Sequence, residues 1–250
     1  MIIDTHMHIY DDKYEGNNEE AILKSIDMGI SKMICCGVDY ESSLKAIEYA
    51  HKYKEIYACI GLYPENACKD DNYLNWIKDL SKDEKVIGIG EIGLDYYWDR
   101  SFIDKQKEVF INEIKLAKEL NLPIVVHSRD AIKDTYDILK EYHHFGDIHC
   151  YSGSLEMARE FTKLGYFLGI GGVLTFKNSV EIKKVVKEID LKYLLPETDS
   201  PYLTPVPYRG HINIPGYTKY VYDEIAKIKE ISSSELEEVI NDNVYRLFKI

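Results

Sequence analysis

The segment IIDTHMHI, residues 2–9, decides between two α/β architectures that are open to this chain. Its apolar, β-branched start predicts a buried strand. An open, doubly wound sheet that binds a nucleotide usually carries a glycine-rich loop directly after its first strand. Here that position holds His6 and His8 instead. The segment therefore favours a closed barrel whose first strand ends in two imidazoles.

The rest of the chain repeats one unit, a short apolar run followed by an amphipathic stretch. Strands are predicted at residues 2–9, 32–36, 56–62, 86–92, 124–127, 148–151, 166–170 and 193–197. Helices are predicted at 19–28, 41–51, 72–80, 102–120, 131–142, 155–164, 180–189 and 219–229, with one more at 234–247. Parallel strands joined by right-handed helical crossovers close into a barrel when there are eight of them. We predict one domain over residues 1–250, a (β/α)8 TIM barrel with an extra C-terminal helix.

The composition limits the class of protein and its partners. The 250 residues contain no apolar run long enough to span a membrane and no basic, apolar leader, so we expect a cytoplasmic protein without a membrane partner. No obligate protein partner is implied. The net charge of −12 disfavours a broad nucleic-acid-binding surface, although bound divalent cations can reverse the field inside a cleft. Cys35, Cys36, Cys59 and Cys150 lie in or beside apolar runs, which predicts reduced core thiols.

Six polar side chains follow the same ends of different predicted strands. Residues two apart on a strand project to the same face, so His6 and His8 point to one place. The other four lie at or near the ends of strands four, five, six and eight. Barrel enzymes place their sites at this end, and buried imidazoles and carboxylates are costly unless they are paired or bind metal. The predicted ligands are His6, His8, Glu91, His127, His149 and Asp199.

These ligands predict a site for two divalent metal ions. Nitrogen and oxygen donors without a thiolate suit Zn²⁺, Mn²⁺, Ni²⁺, Fe²⁺ or Mg²⁺. Six ligands exceed what one tetrahedral ion uses, so we expect a pair of ions about 3.5–4 Å apart. The predicted division places His6, His8 and Asp199 on one ion and His127 and His149 on the other, bridged by Glu91.

The other histidines have no predicted role at this site. His51, His143 and His144 sit on or beside helices and are expected at the solvated surface. His211 lies in the eighth loop and is left unassigned.

At these residues the chain resembles the TatD family of metal-dependent deoxyribonucleases, which belong to the amidohydrolase-like metal barrels. The shared motifs are DTHMH (4–8), GIGEIGLDY (88–96), PIVVHSRDA (123–131), HCYSG (149–153), ETDSPY (197–202) and NVYRLF (243–248). The likeness therefore runs nearly from end to end. It implies the same six metal ligands and a substrate that is DNA or another phosphoester.

Two segments depart from the family pattern. The family usually has a histidine in a Gly-x-His-Pro motif, where this chain has Tyr63 in GLYP (61–64). The eighth loop reads RGHINIP (209–215), which lacks an arginine and a glutamate of the usual motif. We expect Tyr63 to contact the substrate, and the altered loop implies a different grip on nucleic acid.

The predicted reaction is hydrolysis of DNA phosphodiester bonds by a metal-activated water, acting 3′ to 5′ on single-stranded ends. Asp199 and Glu91 are the predicted catalytic residues, and Asp199 takes or orients the proton of that water. Arg129 and Arg209 are predicted to bind phosphate oxygens, because the guanidinium fork matches that geometry.

Two alternatives stay open. One is a metal-dependent amidase, lactonase or phosphotriesterase, a class that often bridges its metals with a carboxylated lysine. Glu91 stands at the end of strand four here, which weighs against that class. The other is a metal-binding scaffold without catalytic activity.

Overall fold

A closed ring of eight parallel strands forms the centre of the computed structural model, which describes residues 1–250. The strands are β1 (Ile2–Met7), β2 (Ile30–Cys36), β3 (Ile56–Ile60), β4 (Val86–Asp95), β5 (Ile124–Arg129), β6 (Gly146–Ile148), β7 (Phe167–Ile170) and β8 (Leu194–Pro196). They pair in chain order. The ring closes where Met7 bridges Ser200 beyond β8, and the His8 N–H donates to the Ser200 carbonyl at 2.7 Å.

Helices follow the strands around the outside of the ring. They are α1 (Asn18–Asp27), α2 (Tyr40–Lys52), α3 (Tyr73–Leu80), α4 (Ile103–Leu120), α5 (Ile132–Tyr142), α6 (Leu155–Lys163), α7 (Val180–Glu188), α8 (Thr218–Lys229) and α9 (Ser233–Phe248). The prediction of a (β/α)8 TIM barrel with an additional C-terminal helix is confirmed. None of the helices has both the length and the apolar character needed to cross a membrane.

One continuous apolar core supports the barrel. Its 66 buried hydrophobic residues run from β1 to α9, so no part of the ring packs separately from the rest. Helix α9 is fastened to the end of the ring by Asn243, whose Nδ2 donates to the carbonyls of Leu191 (2.8 Å) and Leu194 (2.9 Å). The strand ends that carry the polar residues therefore stand on a rigid base.

The cysteines largely follow their predicted placement. All five are free, and Cys35, Cys36 and Cys59 are buried as predicted. Cys150 is only partly buried, and Cys68 is exposed. Burial raises the pKa of Cys35 to about 12, so this thiol stays protonated and behaves as a small apolar side chain.

The sixth strand is shorter than predicted, which changes the placement of His149. Strand β6 ends at Ile148, so His149 lies just beyond the strand rather than inside it. The backbone leaves the extended conformation at Cys150, whose φ is 46°. Few residues other than glycine adopt this left-handed region, and an extended strand cannot continue through it. His149 is therefore carried by the first residues of the loop.

The fourth strand is longer than predicted, which corrects the placement of Glu91. Strand β4 continues past residue 92 because Gly93 pairs with His127 and Asp95 pairs with Arg129 on β5. Glu91 consequently lies inside its strand instead of ending it. Residues 91, 93 and 95 share one face of the strand, so Asp95 is placed beyond Glu91 on the same side.

Candidate metal centre

The first and last strands, β1 and β8, are neighbours in the ring. The residues at and just beyond their ends bring His6, His8 and Asp199 together. His6 Nε2 and His8 Nε2 lie 3.1 Å apart. The Asp199 N–H donates to the His6 carbonyl at 2.9 Å, and this hydrogen bond places Asp199 beside β1. Asp199 Oδ1 lies 3.4 Å from His8 Nε2 and 3.9 Å from His6 Nε2. Asp199 has a φ of 54°, a left-handed conformation that aspartate tolerates better than most residues.

The carboxylate of Glu91 lies among four imidazoles. Its Oε1 is 2.8 Å from His127 Nδ1 and 3.2 Å from His149 Nε2. Its Oε2 is 3.4 Å from His6 Nε2 and 3.3 Å from His8 Nε2. Each oxygen thus faces a different pair of histidines, and the Glu91 side chain, only 4% exposed, joins the two pairs.

Oxygen atoms lie beside the outer nitrogens of two of these histidines. His8 Nδ1 is 2.8 Å from the Cys36 carbonyl, and His149 Nδ1 is 3.3 Å from Glu197 Oε1. An acceptor at one ring nitrogen fixes the tautomer, so that the other nitrogen presents its lone pair to the centre. His6 Nδ1 has no acceptor beside it, and the approach of His149 Nδ1 to Glu197 is a charge pairing without hydrogen-bond geometry.

The outer nitrogen of His127 meets a carboxylate and a phenol. His127 Nε2 lies 3.0 Å from Asp95 Oδ2 and 3.0 Å from the Tyr63 hydroxyl, which itself donates to Asp95 Oδ2 at 3.0 Å. Neither Asp95 nor Glu197 is among the site residues predicted from the sequence. Asp95 had a recognisable signal, since it stands four residues after Glu91 and shares its face in an extended strand.

The local charges favour ionised carboxylates. Burial opposes the charge on Glu91, but His149 and the other imidazoles lower the pKa of Glu91 well below its usual value. Burial also opposes the charge on Asp199, and hydrogen bonding to His8 more than compensates, so the pKa of Asp199 is lowered. Burial disfavours protonated His8, yet Asp199 and Glu91 raise the pKa of His8 to about 10. Burial lowers the pKa of His6.

The donor set fits divalent metal ions. Three groups of ligand atoms each lie within 4.8 Å of one another: His6, His8 and Glu91; Glu91, His127 and His149; and His6, His149 and Asp199. The ion pairs of Glu91 and Asp199 involve only histidines, so neither carboxylate is neutralised by lysine or arginine. Buried charges of this kind are costly unless they are paired or coordinate a cation. Imidazole and carboxylate donors are those that Zn²⁺ and similar ions accept.

The two predicted arginines lie outside the cluster. Arg129 is the last residue of β5 and is exposed, with its guanidinium carbon 3.7 Å from the ring centroid of Tyr97. Arg209, in the loop after β8, is also exposed and stands 4.1 Å from the ring centroid of Phe176. Neither guanidinium group forms an ion pair or a hydrogen bond within the chain, so both are free to meet an anion.

The remaining histidines are placed away from the cluster. His51 is exposed and pairs with Asp83 at 2.9 Å, and His143 is exposed, as predicted. His144 departs from the prediction of a solvated position, because it is half-buried and its Nε2 lies 2.7 Å from the Leu122 carbonyl. His211 is exposed in the eighth loop.

A comparison with known families matches almost the whole chain. The family model described as TatD related DNase covers residues 3–249. The chain belongs to the TatD family. The resemblance inferred from the motifs is therefore confirmed, and the six clustered residues are those that the motifs carry.

Relatives of this TatD protein share its full length. YabD of Bacillus subtilis, described as an uncharacterized metal-dependent hydrolase, is 46% identical over 254 residues that cover 100% of both chains. A metal-dependent hydrolase of Methanocaldococcus jannaschii is 38% identical and covers 99% of this chain and 96% of its own length. The crystal structure of YjjV, a TatD homologue from Escherichia coli, has a TM-score of 0.93 at 29% identity and covers 100% of this chain and 98% of that one. The protein is thus a metal-dependent hydrolase of the TatD type.

Proposed function

We propose that this TatD protein hydrolyses phosphodiester bonds of DNA, acting 3′ to 5′ on single-stranded ends, with two divalent metal ions. The observation that carries the proposal is the bridging position of Glu91, with a separate pair of imidazoles at each of its oxygens. Two-metal sites of this kind act on phosphate esters in several nuclease and phosphatase classes. The proposed division of ligands is the one the sequence predicts, and Zn²⁺, Mn²⁺, Mg²⁺, Ni²⁺ and Fe²⁺ all suit the donors.

The chemistry supplied by the bound ions would be a lowered pKa for water and neutralisation of the phosphate charge. Asp199 is the proposed group that accepts or orients the proton of the attacking water. Its side chain is 16% exposed, whereas that of His6 is fully buried, so solvent reaches Asp199 more readily than His6. Arg129, the last residue of β5, and Arg209, in the loop between β8 and α8, are the proposed phosphate contacts.

Tyr63 has a narrower role in this proposal than the sequence suggested. Burial raises the pKa of Tyr63 above its usual value, and the charges of Glu91 and Asp95 add to the effect. The phenol therefore stays protonated and serves as a hydrogen-bond donor to Asp95. We propose that Tyr63 acts mainly by holding His127 and that its predicted contact with substrate is secondary.

Cleavage of an end-labelled single-stranded oligonucleotide in Mn²⁺ or Mg²⁺ tests the proposed function. We expect stepwise shortening from the 3′ end, and Asp199→Ala should abolish it while the circular dichroism spectrum stays unchanged. Activity of Asp199→Ala within about threefold of the unsubstituted protein would show that Asp199 has no such role. His51→Ala, which alters an exposed histidine far from the cluster, serves as the control.

The same preparation separates the proposal from its alternatives. Anomalous scattering at metal absorption edges reports the number and identity of bound ions. Bound metal with no cleavage of DNA would favour an amidase-like hydrolase or a scaffold. The cytoplasmic location inferred from the sequence stays a prediction.

A further inference from the structure

Two adjacent aromatic side chains stand in solvent beside the metal centre. Tyr97 is 52% exposed and Trp98 is 63% exposed, and they follow directly on β4. Their ring centroids are 4.8 Å apart at an interplanar angle of 85°. A large apolar surface left in water is unfavourable, and where neighbouring large residues share it, such a surface commonly marks a binding site.

The position of this pair relative to the centre follows from Asp95. One oxygen of Asp95, Oδ2, lies 3.0 Å from His127 Nε2, and the other, Oδ1, accepts the Tyr97 N–H at 2.8 Å. A single carboxylate therefore separates the backbone of the aromatic pair from a proposed metal ligand. The segment that carries the rings therefore starts at the same rim of the barrel as the centre, where β4 and β5 end.

The loop that carries the rings is held firmly. Gln106 of α4 clamps Asp95 by accepting from its N–H and donating to its carbonyl, both at 2.9 Å. The neighbouring Tyr96 is buried, and its hydroxyl donates to Asp134 at 2.8 Å. Arg100 Nε donates to the Tyr96 carbonyl at 2.7 Å. The backbone before and after the two rings is thus fixed, which reduces the entropy lost when a ligand binds.

The third member of the surface is Arg129. Its guanidinium carbon lies 3.7 Å from the ring centroid of Tyr97 and 5.4 Å from that of Trp98. A guanidinium group that covers an aromatic face keeps its N–H groups directed outward in its own plane. No carboxylate of this chain, whose net charge is −12, pairs with it. The surface therefore combines an open aromatic ring with an unpaired cation.

We propose that Tyr97, Trp98 and Arg129 form a stacking platform for one unpaired nucleobase of the substrate strand. The base stacks on Trp98, and the phosphate next to it pairs with the guanidinium group of Arg129. This inference rests on the proposed nuclease function and adds the residues that select a single strand. A base inside a duplex is already stacked and paired, so it cannot use the platform without being unpaired.

Cleavage kinetics give the first test. Trp98→Ala should raise the KM for a short single-stranded oligothymidylate about tenfold, whereas Trp98→Phe, which keeps an aromatic face, should restore most of the affinity. The value of kcat should stay unchanged, because Trp98 does not touch the reacting atoms. Tyr245→Ala is the matched control, since Tyr245 is 59% exposed on α9 and Lys249 lies over its ring.

Fluorescence gives a second test that does not depend on cleavage. The chain has two tryptophans, and Trp76 is buried with its Nε1–H donating to Asp70 at 2.7 Å, so quenching by a ligand reports on Trp98. We expect quenching by oligothymidylate, weaker binding of an abasic strand of equal length, and loss of the quenching in Trp98→Phe. Arg129→Gln should weaken binding of both strands and reduce the slope of log Kd against log salt by about 0.7.

The outcomes distinguish the platform from the nuclease proposal. Cleavage of DNA with unchanged KM in Trp98→Ala would overturn the platform and leave the proposed function standing. Absence of cleavage would overturn the proposed function, and base-dependent quenching would still support the platform. Equal binding of oligothymidylate and the abasic strand, or no binding of either, would overturn the platform.

Discussion

At the scale of single residues, the contacts of His127 Nε2 are the part of the centre that the sequence predicts least. This ring nitrogen is not the one that faces Glu91. Three polar groups meet there, and all three distances among Tyr63, Asp95 and His127 are 3.0 Å. Carboxylates that hold the far nitrogen of a ligating histidine orient the ring and raise its basicity. The tyrosine adds a second contact to that arrangement.

We predict that Tyr63→Phe weakens metal binding and that Asp95→Asn weakens it more. Loss of an outer contact to a ligating histidine costs about 10- to 100-fold in metal affinity or activity, and the tyrosine should lie at the lower end because Asp95 remains. Isothermal titration of the metal-free protein with Zn²⁺ measures the change directly. Tyr73→Phe is the control. It removes a hydroxyl on α3 that accepts a hydrogen bond from Asn112 on α4. Equal Zn²⁺ affinities of the unsubstituted protein, Tyr63→Phe and Asp95→Asn would contradict a role of these residues in holding His127.

A second residue-scale prediction concerns Glu113, which is fully buried in α4. Burial raises the pKa of Glu113 well above its usual value; its one hydrogen bond, from the Leu62 N–H at 2.8 Å, offsets only part of that effect. The folded protein therefore holds a proton that the unfolded chain releases above about pH 4.5. By linkage, this group lowers the stability as the pH rises from that value toward its folded pKa.

Glu113→Gln keeps the acceptor for Leu62 and removes the ionisation. We expect the two proteins to have similar free energies of unfolding near pH 4.5. The variant should then gain about 1.4 kcal/mol relative to the unsubstituted protein for each pH unit above that, until the folded pKa is reached. Urea unfolding at several pH values measures this difference. A difference that does not change with pH would show that Glu113 titrates normally in the folded state.

At the scale of elements, β7 leaves space for a carboxylate that supports the loop after β6. A Cβ at Gly169 would lie 2.3 Å from Glu197 Oε2 and 2.9 Å from the Cys150 nitrogen. Glu197 Oε1 accepts the Cys150 N–H at 2.7 Å and faces His149 Nδ1. The absence of a side chain at Gly169 thus allows β8 to hold the segment that carries His149.

We predict that Gly169→Ala displaces Glu197 and lowers metal affinity about tenfold or more. The barrel itself should persist, because the change lies at the strand end next to the loop. Metal titration, with far-ultraviolet circular dichroism as the check on folding, gives the comparison. Gly165→Ala is the control for alanine in this region, because nothing lies within 4 Å of the added Cβ, although its φ of 92° adds local strain. Unchanged metal affinity in Gly169→Ala would show that Glu197 does not support the metal centre.

At the scale of the whole molecule, we expect metal binding at the cluster to be coupled to folding. The cluster draws residues from β1, β4, β5 and the segments after β6 and β8, so an ion bound there connects distant parts of the ring. A ligand that binds only the folded state stabilises it by about 2.7 kcal/mol at one hundred times its Kd. We propose that the one domain over residues 1–250 unfolds in a single transition.

Chelation should therefore lower the melting temperature by several degrees without splitting the transition. For a chain of this size, about 2.7 kcal/mol corresponds to roughly 5–10 °C. Calorimetry with and without EDTA measures the shift. His6→Ala should lose the response to EDTA, whereas His51→Ala should keep it. A chelator effect of the same size in His6→Ala would place the responsible ion elsewhere.

The sequence alone was sufficient to predict the order of elements and the six polar residues that cluster at one rim. The period of apolar residues identifies each strand and helix, and the polar residues that follow the strands stand out against those runs. Because the carboxyl ends of all strands meet at one rim, a local pattern is sufficient to bring His6, Glu91 and Asp199 together.

The tertiary structure alone decided the contacts around those ligands. Tyr63 follows β3, Asp95 ends β4 and His127 lies in β5. Contact among these three side chains depends on strand register and side-chain orientation. The same holds for Tyr97 and Trp98, whose exposure follows from the path of one loop. Sequence patterns report which face a residue takes along its own element, but contact between elements depends on packing that no local period encodes.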